Sequence, residues 1–311
     1  MFRRSLDRCR EIDDPQGTAI ALGNVGQVLR LQGDYAGARA SYQEVVDIRR
    51  RLGDEQGLGH TLSNLGNIAR LAGDYPAAQA LLEVALAVSR RLGDKMSTAS
   101  TLSFLGAAVF GQGDLTVARQ LLEESLLRRR ELGYRSGIAW SLSNLGLLEV
   151  RNDRPLEARP LLEEGLRLFR ASGDVGGAAY VLIYLSEVSI KLGEYSQAGR
   201  LLAEGLGAFL GLQDREGVVA GLYGVAAAHA ALGRTRHAAR VWGAAETSRE
   251  AIGAAISPYE GGLLQRTMDA ARVACGGDAF SAAWEEGRSL TWEQAVAYAL
   301  GEAEPVTPPA P

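Results

Sequence analysis

The sequence predicts an all-α protein built from about six stacked helical repeats of 40 residues. Three columns of residues recur at this period. The first column is alanine in all six copies, the second is bulky and apolar, and the third is small. The columns are Ala38, Ala78, Ala118, Ala158, Ala198 and Ala238; Tyr42, Leu82, Leu122, Leu162, Leu202 and Trp242; and Gly26, Gly66, Gly106, Gly146, Ser186 and Ala226. Self-similarity at such a period is typical of repeat proteins, whose units bury their apolar faces against neighbouring units.

Each repeat is predicted to hold two helices, because a Gly-Asp dipeptide divides it twice. Gly73-Asp74 is an example of one joint and Gly93-Asp94 of the other. Glycine ends a helix by taking the left-handed conformation, and the following aspartate caps the free amides of the next helix. The roughly 18 residues between joints correspond to about 27 Å of helix.

The same columns resemble the tetratricopeptide repeat. Gly66, Ala78, Leu82 and Ala85 match its small, small, bulky and small positions, and Leu62 and Leu65 match large positions of its first helix. The resemblance covers about residues 2 to 252, and the 40-residue period is similar to the long-repeat subclass of kinesin light chains and Pins-type polarity proteins. It implies a right-handed α-α superhelix, a TPR solenoid of about six repeats, with a concave face that binds peptides.

The period divides the chain into four predicted segments. Residues 1–14 align with the second helix of a truncated repeat, and 15–256 form the solenoid of six 40-residue repeats. We expect short capping helices over 257–301 and a disordered tail over 302–311, where the sequence is rich in proline. Pro160 lacks the amide that a helix interior needs, so a kink or a late helix start is expected there.

Start signals place the predicted helices of the capping segment. Ser257-Pro258 opens a helix that runs to about Cys275. Asp278 is predicted to cap the next helix, and Thr291 with Gln294 has the spacing of a capping box.

The N-terminal edge of the repeat array is expected to be apolar. Phe2, Leu6 and Ile12 fall on a helix that lacks the neighbour which a capping repeat would supply. We therefore expect either that the chain is the C-terminal part of a longer protein, or that it forms a homodimer through this edge.

The last repeat and the capping segment carry a second resemblance. Residues 238–260 and 280–300 are similar to the extreme C-terminus of large bacterial regulators of the LuxR or STAND-like ATPase type. This resemblance implies a role in signal transduction or transcriptional control.

Composition limits the remaining possibilities. The net charge of −4 argues against direct binding of nucleic acid. No apolar run approaches the roughly 18 residues that a membrane span needs, and no signal peptide is evident. The two cysteines, Cys9 and Cys275, lie near opposite ends of the array, so a reducing cytoplasmic setting is expected.

Asparagines form the main candidate site. Asn24, Asn64 and Asn144 share one column of the first helix, although asparagine is less favourable there than alanine by roughly 0.5 kcal/mol. Their amides match the donors and acceptors of a peptide backbone. The family resemblance places this column in the concave groove, and Phe104 and Tyr184 interrupt it. The alternative is that these asparagines bridge adjacent repeats.

Three further residues lie at helical spacings from Asn64. His60, Asn67 and Arg70 are therefore predicted to share its peptide-binding surface.

A column of arginines has two interpretations. Arg10, Arg50, Arg90, Arg130 and Arg170 fall near helix C-termini, where a cation is favoured by about 0.3–1 kcal/mol. Stacked copies alternatively form a basic stripe for an acidic partner. We favour the first interpretation, because Glu44, Glu124, Glu164 and Glu204 run parallel to the arginines.

Enzymatic and cofactor sites are not indicated. The sequence has no phosphate-binding GxxxxGK[ST] motif, and its three histidines do not have the spacing of metal ligands. We therefore predict a non-enzymatic binding scaffold without cofactor or metal. Its ligand is a peptide or protein segment; alternatives are a small-molecule inducer near Trp140, Tyr180 and Tyr184, or self-association.

Overall fold

The computed structural model describes residues 2–301, with side chains from residue 4 onward, and the predicted tail 302–311 lies outside them. Within residues 2–301 the chain forms sixteen α-helices and no strand, which confirms the all-α helical-repeat fold. The helices divide between two compact units. Unit 1 comprises residues 2–173 and Ile252–Gly262, and unit 2 comprises Asp174–Ala251 and 263–301.

Unit 1 consists of helix pairs preceded by one further helix. Its helices are α1 (Phe2–Glu11), α2 (Pro15–Leu31), α3 (Tyr35–Leu52), α4 (Glu55–Leu71), α5 (Tyr75–Arg91), α6 (Lys95–Gln112), α7 (Leu115–Glu131), α8 (Arg135–Arg151) and α9 (Pro155–Ser172). We call α2, α4, α6 and α8 the first helices of unit 1, and α3, α5, α7 and α9 its second helices.

Unit 2 continues the pattern with two more helix pairs and three additional helices. They are α10 (Val175–Lys191), α11 (Tyr195–Leu212), α12 (Arg215–Ala231), α13 (Thr235–Ala251), α14 (Pro258–Cys275), α15 (Gly277–Arg288) and α16 (Trp292–Ala299). The first five residues of α14 belong to the segment Ile252–Gly262. Trp242 and Phe280 pack together in the core of unit 2, because Gly243 and Gly287 let α13 and α15 approach to backbone contact.

Glycine and aspartate form the joints as predicted. At the joint between α3 and α4, Gly53 has a left-handed φ of 67°, and the Asp54 carboxylate accepts a hydrogen bond of 2.8 Å from the Gly57 amide. Other joints of unit 1 repeat this arrangement with aspartates 34, 74, 94 and 114. Three joints place Asp13, Asp153 or Gln213 at positive φ instead of glycine.

Small residues allow the two helices of a pair to approach closely. A Cβ built on Gly66 in α4 would lie 2.6 Å from Cγ of Leu82 in α5, and Ala78 is fully buried beside them. Glycines 26, 106 and 146 meet the bulky residue of their own repeat in the same way. The column pattern in the sequence therefore reflects one helix-crossing geometry, used once per repeat.

Three local predictions need correction. Leu6 is buried against Leu22 and Val45 rather than exposed at the N-terminal edge, although Ile12 remains 60% exposed; the side chain of Phe2 lies outside the described residues. Helices α2 and α3 therefore cover part of the apolar side of α1. A homodimer through this edge stays a prediction.

The other two corrections concern helix starts. Helix α9 begins at Pro155 and continues through Pro160, so no late start occurs, while a kink at Pro160 stays a prediction. The proline removes only the bond to the Leu156 carbonyl, and Leu156 lies on the exposed side of the helix, with 70% exposure. Helix α15 is capped by Gly276, and Asp278 lies in its first turn without capping it. The capping box of Thr291 and Gln294 at α16 is present as predicted.

Gly66→Ala should lower the free energy of unfolding by about 1–3 kcal/mol, because the new methyl group overpacks the crossing with Leu82. Gly23→Ala is the matched control, because a Cβ at position 23 meets nothing within 4 Å. This substitution should stabilise α2 by about 0.5–1 kcal/mol. Urea denaturation of both variants measures the difference. Equal stability of the two variants would contradict this account of the crossing.

Gln213→Gly should raise stability by about 1 kcal/mol, because Gln213 holds a left-handed φ of 54° that costs a side-chain-bearing residue roughly 1–2 kcal/mol. The reciprocal change, Gly173→Gln at a joint with open space around the glycine, should cost a similar amount. Thermal unfolding followed by circular dichroism checks both signs. Changes of the same sign in the two variants would refute the argument.

Candidate functional site

Three first helices of unit 1, α4, α6 and α8, pack side by side. Helix α4 packs directly on α6, and α6 packs on α8, in addition to the contacts within each pair. One face of each first helix remains open beside these contacts. We call it the first-helix face; its members are Gln16, Ile20, Asn24, Gln27 and Leu31 in α2, Gln56, His60, Asn64, Asn67 and Leu71 in α4, Met96, Ser100, Phe104 and Ala107 in α6, and Ser136, Trp140, Asn144 and Leu147 in α8.

The three candidate asparagines all lie on the first-helix face, but their surroundings differ. Asn24 and Asn64 are exposed, and neither side-chain amide makes a hydrogen bond to any residue of the described part of the chain. Asn144 is half-buried, and its Nδ2 donates a 3.2 Å hydrogen bond to Oγ of Ser103 on α6. Thus Asn144 bridges adjacent repeats, whereas Asn24 and Asn64 present amides to the solvent.

His60 lies on the same face and is tied to the next repeat. Its Nε2 is 3.0 Å from Oδ2 of Asp94, and Gln56 Nε2 donates to the same oxygen at 3.3 Å. Burial acts to raise the pKa of Asp94, but hydrogen bonds from the Ser97 amide, His60 and Gln56 hold it well below its usual range. Asp94 therefore remains a carboxylate that caps α6 and binds α4 at once.

Asn67 and Arg70 are engaged with each other. The Asn67 Oδ1 atom accepts hydrogen bonds from Nε and Nη2 of Arg70 at 3.1 and 3.0 Å. Arg30 and Gln27 form the equivalent pair one repeat earlier, with a bond of 3.3 Å. These pairs leave the Asn67 amide nitrogen as a donor on the face and hold the guanidinium groups in place.

Exposed aliphatic side chains on the same face were missed in the sequence. Ile20 is 56% exposed and Leu31 is 58% exposed, and both share the face of α2 with Asn24. Met96 is a further exposed apolar side chain on the face of α6, with 42% exposure. A signal existed, because residue 20 is isoleucine where the same column of the next repeat has His60. Apolar spacing by itself predicts which residues face the core and does not single out exposed apolar side chains.

The arginine column is paired with acidic residues of the following repeat. Arg10 contacts Glu44 at 2.7 Å, Arg90 contacts Glu124 at 3.1 Å, and Arg130 contacts Glu164 at 3.7 Å. Burial acts to raise the pKa of Glu124, but hydrogen bonds from Arg128 and Arg90 lower it. Arg50 lacks such a partner because Val84 occupies the acidic position. The pairing favours the structural interpretation of this column over a basic stripe.

The aromatic residues considered for an inducer are packed within their own units. Trp140 meets Phe169 edge to face at 5.0 Å between ring centroids. Tyr180 meets Phe209 in the same way at 4.7 Å, and its hydroxyl lies 3.5 Å from Oδ2 of Asp214. No observation assigns a ligand to these rings.

The histidines of unit 2 form a stack rather than a metal site. His229 and His237 stack with ring centroids 5.6 Å apart, and His237 Nδ1 lies 2.5 Å from the Tyr298 hydroxyl. Burial lowers the pKa of His229 to about 4. Residues 2–301 contain no group of three His, Cys, Asp or Glu side chains placed to share a metal ion.

None of the helices within residues 2–301 combines the length and the apolarity that crossing a bilayer requires.

Comparison with solved structures finds the same fold in several proteins. A Rap protein complexed with Competence and Sporulation Factor is 13% identical, with a TM-score of 0.74 over 94% of this chain and 80% of that one. The apo form of RapI is 14% identical, with a TM-score of 0.56 over 85% of this chain and 98% of its own. BtubC (BKLC) from P. vanneervenii is 19% identical, with a TM-score of 0.55 over 68% of this chain and 89% of its own. At these identities the likeness shows the fold alone.

Sequence comparison identifies the repeat. No curated protein matches the chain, and the expected resemblance of residues 238–300 to LuxR or STAND-like regulators stays a prediction. The family model of the tetratricopeptide repeat matches residues 1–51, 17–91, 57–126 and 97–171. Because these overlapping matches together cover more than half of the chain, the protein belongs to the tetratricopeptide repeat family.

Proposed function

We propose that unit 1 binds an extended peptide or protein segment along the first-helix face and that the protein is a binding scaffold rather than an enzyme. The observation that carries this proposal is the pair of exposed, unbonded amides, Asn24 and Asn64, in equivalent positions of adjacent first helices. A side-chain amide can accept from and donate to the backbone of a bound peptide. Two amides one repeat apart favour an extended ligand that crosses the first helices.

Apolar side chains beside the amides supply the second element of such a site. Ile20 and Leu31 flank Asn24 on α2, and burying each against a ligand contributes roughly 1.5–3 kcal/mol when the burial is complete. Polar groups that fix direction together with a few apolar anchors are the usual composition of a binding surface. We therefore expect a ligand with large apolar residues near its contact with α2.

The remaining candidate residues have supporting roles in this proposal. Asn144 retains its Oδ1 as an acceptor, while His60, Asn67 and Arg70 are held by Asp94 or by each other. Such partners keep side chains in one conformation and reduce the entropy lost on binding. One solved structure with a similar fold, that of the Rap protein described above, is a complex with Competence and Sporulation Factor.

Replacing both exposed amides should weaken peptide binding without loss of stability. Peptides are selected on the wild-type protein from a random phage-displayed library, and their affinities are measured by fluorescence anisotropy. The double variant Asn24→Ala, Asn64→Ala should bind about tenfold more weakly, because each lost hydrogen bond costs about 0.5–1.5 kcal/mol. The thermal unfolding midpoint should be unchanged or slightly raised, since alanine favours the helix.

Gln43→Ala is the matched control, because Gln43 is an exposed amide on the second helix α3, away from the first-helix face. It should leave the affinity unchanged. The proposal fails if the library yields no binder, or if the selected peptides bind the double variant as tightly as the control.

We further propose that this binding module is the sensing or regulatory arm of a bacterial signalling protein. The support is the resemblance to the C-termini of large bacterial regulators that we infer from the sequence of residues 238–260 and 280–300. In the native host, the double variant Asn24→Ala, Asn64→Ala should change the transcription of a defined set of genes relative to Gln43→Ala. RNA sequencing measures this outcome, and indistinguishable transcript profiles would contradict the regulatory role.

A further inference from the structure

A second surface of unit 1 already holds a segment of polypeptide, of which residues 254–257 lack regular secondary structure. The segment Ile252–Gly262, which we call the strap, follows α13 in sequence and packs within unit 1. It lies along the ends of the first helices and the joints that follow them. We call this surface the turn edge; it is formed by Gly33, Tyr35, Gly73, Tyr75, Phe110, Gly113 and Arg151.

The first part of the strap meets the joint glycines. A Cβ built on Gly33 would lie 3.0 Å from Cβ of Ile252, and one built on Gly73 would lie 2.6 Å from Cβ of Ala255. Ala254 packs between these positions on the cluster that contains Tyr35. The joint glycines therefore serve two purposes, since they supply the left-handed turn and leave room for the strap.

The second part of the strap makes specific polar and aromatic contacts. Ser257 is 5% exposed and lies beside Tyr75, whose pKa is raised by burial and lowered slightly by the Ser257 side chain. The Tyr259 ring meets Phe110 edge to face at 5.5 Å, and its hydroxyl donates a 3.0 Å hydrogen bond to the Arg151 carbonyl.

An ion pair holds the strap near its C-terminal end. Glu260 lies 3.4 Å from Nη2 of Arg151. Its carboxylate also accepts a hydrogen bond from the Ser257 hydroxyl, while the Ser257 Oγ accepts from the Glu260 amide. This reciprocal cap starts α14 and fixes the end of the strap on the turn edge.

The register of these contacts follows the repeat. The strap moves from the joint of Gly33 to that of Gly73 in three residues, and an extended chain covers about 10 Å in three residues. Packed helices lie about 8–10 Å apart, so this step is comparable with the spacing of stacked helices. Residues 254–257 have no helical or strand structure of their own. The strap thus passes from one joint to the next within the reach of three residues, through a left-handed turn at Gly253.

We propose that the turn edge is a peptide-binding surface in its own right and that the strap is its resident ligand. The surface selects an aliphatic residue at Gly33, small residues across Gly73, and a Ser-Pro-Tyr-Glu ending that engages Tyr75, Phe110 and Arg151. It is separate from the first-helix face and does not depend on the function proposed for that face.

Vacating the turn edge should allow the strap sequence to bind in trans. In the full chain, Ile252–Tyr259 is replaced by eight alternating glycine and serine residues, and folding is checked by circular dichroism. The probe is a fluorescein-labelled synthetic peptide with the sequence of residues 251–262. It should bind this linker variant at least tenfold more tightly than the wild type, whose own strap competes at roughly millimolar effective concentration.

A second peptide serves as the matched control. Its Tyr259→Ala change removes the ring contact with Phe110 and the bond to Arg151, and it should bind the linker variant at least tenfold more weakly than the native sequence. Adding Asn24→Ala and Asn64→Ala to the linker variant should leave the affinity unchanged, which separates this surface from the first-helix face. Equal binding to the wild type and linker variant, or no binding to a folded linker variant, overturns the proposal.

If the linker variant does not fold, a cross-link tests the docking directly. Gly33→Cys with Ile252→Cys, in a background with Cys9→Ser and Cys275→Ser, should form an intramolecular disulfide under mild oxidation and shift the mobility in a non-reducing gel. Gly53→Cys with Ile252→Cys is the control pair, because Gly53 faces open space at a joint of the other kind. Equal cross-linking of the two pairs, or none in the first pair, overturns the proposal.

Discussion

The close approach of the two helices in each repeat is the constraint on which the rest of the structure depends. At the crossing, Gly66 lies directly against Leu82 and the backbone of Ala78, and no room is left for a side chain at position 66. Because interiors are packed about as densely as organic crystals, a crossing of this kind has little freedom to vary. The same crossing recurs in successive repeats, and α4, α6 and α8 pack side by side as first helices.

The period and the joints account for how much of the fold is predictable from the sequence. The column of six alanines and the Gly-Asp joints report local and nearest-neighbour interactions, which repeat with the sequence itself. The errors have separate causes. Pro160 is accommodated because only one carbonyl loses its bond, and Leu6 is covered by Leu22 and Val45 of the next helices. The segment boundaries proposed from the period stay predictions.

The candidate site was only partly predictable. A column of equivalent residues in the repeats predicts where each side chain lies on its helix, but it does not predict which side chains of neighbouring helices it contacts. Asn24, Asn64 and Asn144 occupy equivalent positions, yet only Asn144 has a hydroxyl within reach, which is Ser103 one repeat before it. Ile20 and Leu31 were overlooked because exposure cannot be read from apolar spacing alone. The strap lies after the last repeat in sequence, so the repeat pattern does not predict its contacts with Tyr75 and Phe110.

The strap also bears on the order in which the chain acquires its structure. Contacts within a helix pair join residues near in sequence, whereas Glu260 reaches Arg151 across 109 positions. Closing so large a loop is entropically unfavourable until both ends are structured, and contacts of long sequence separation form slowly. During synthesis from the N-terminus, the early repeats of unit 1 emerge well before residue 252. Their turn edge is therefore exposed in the nascent chain, and the strap covers it only after residues 252–262 have been synthesised.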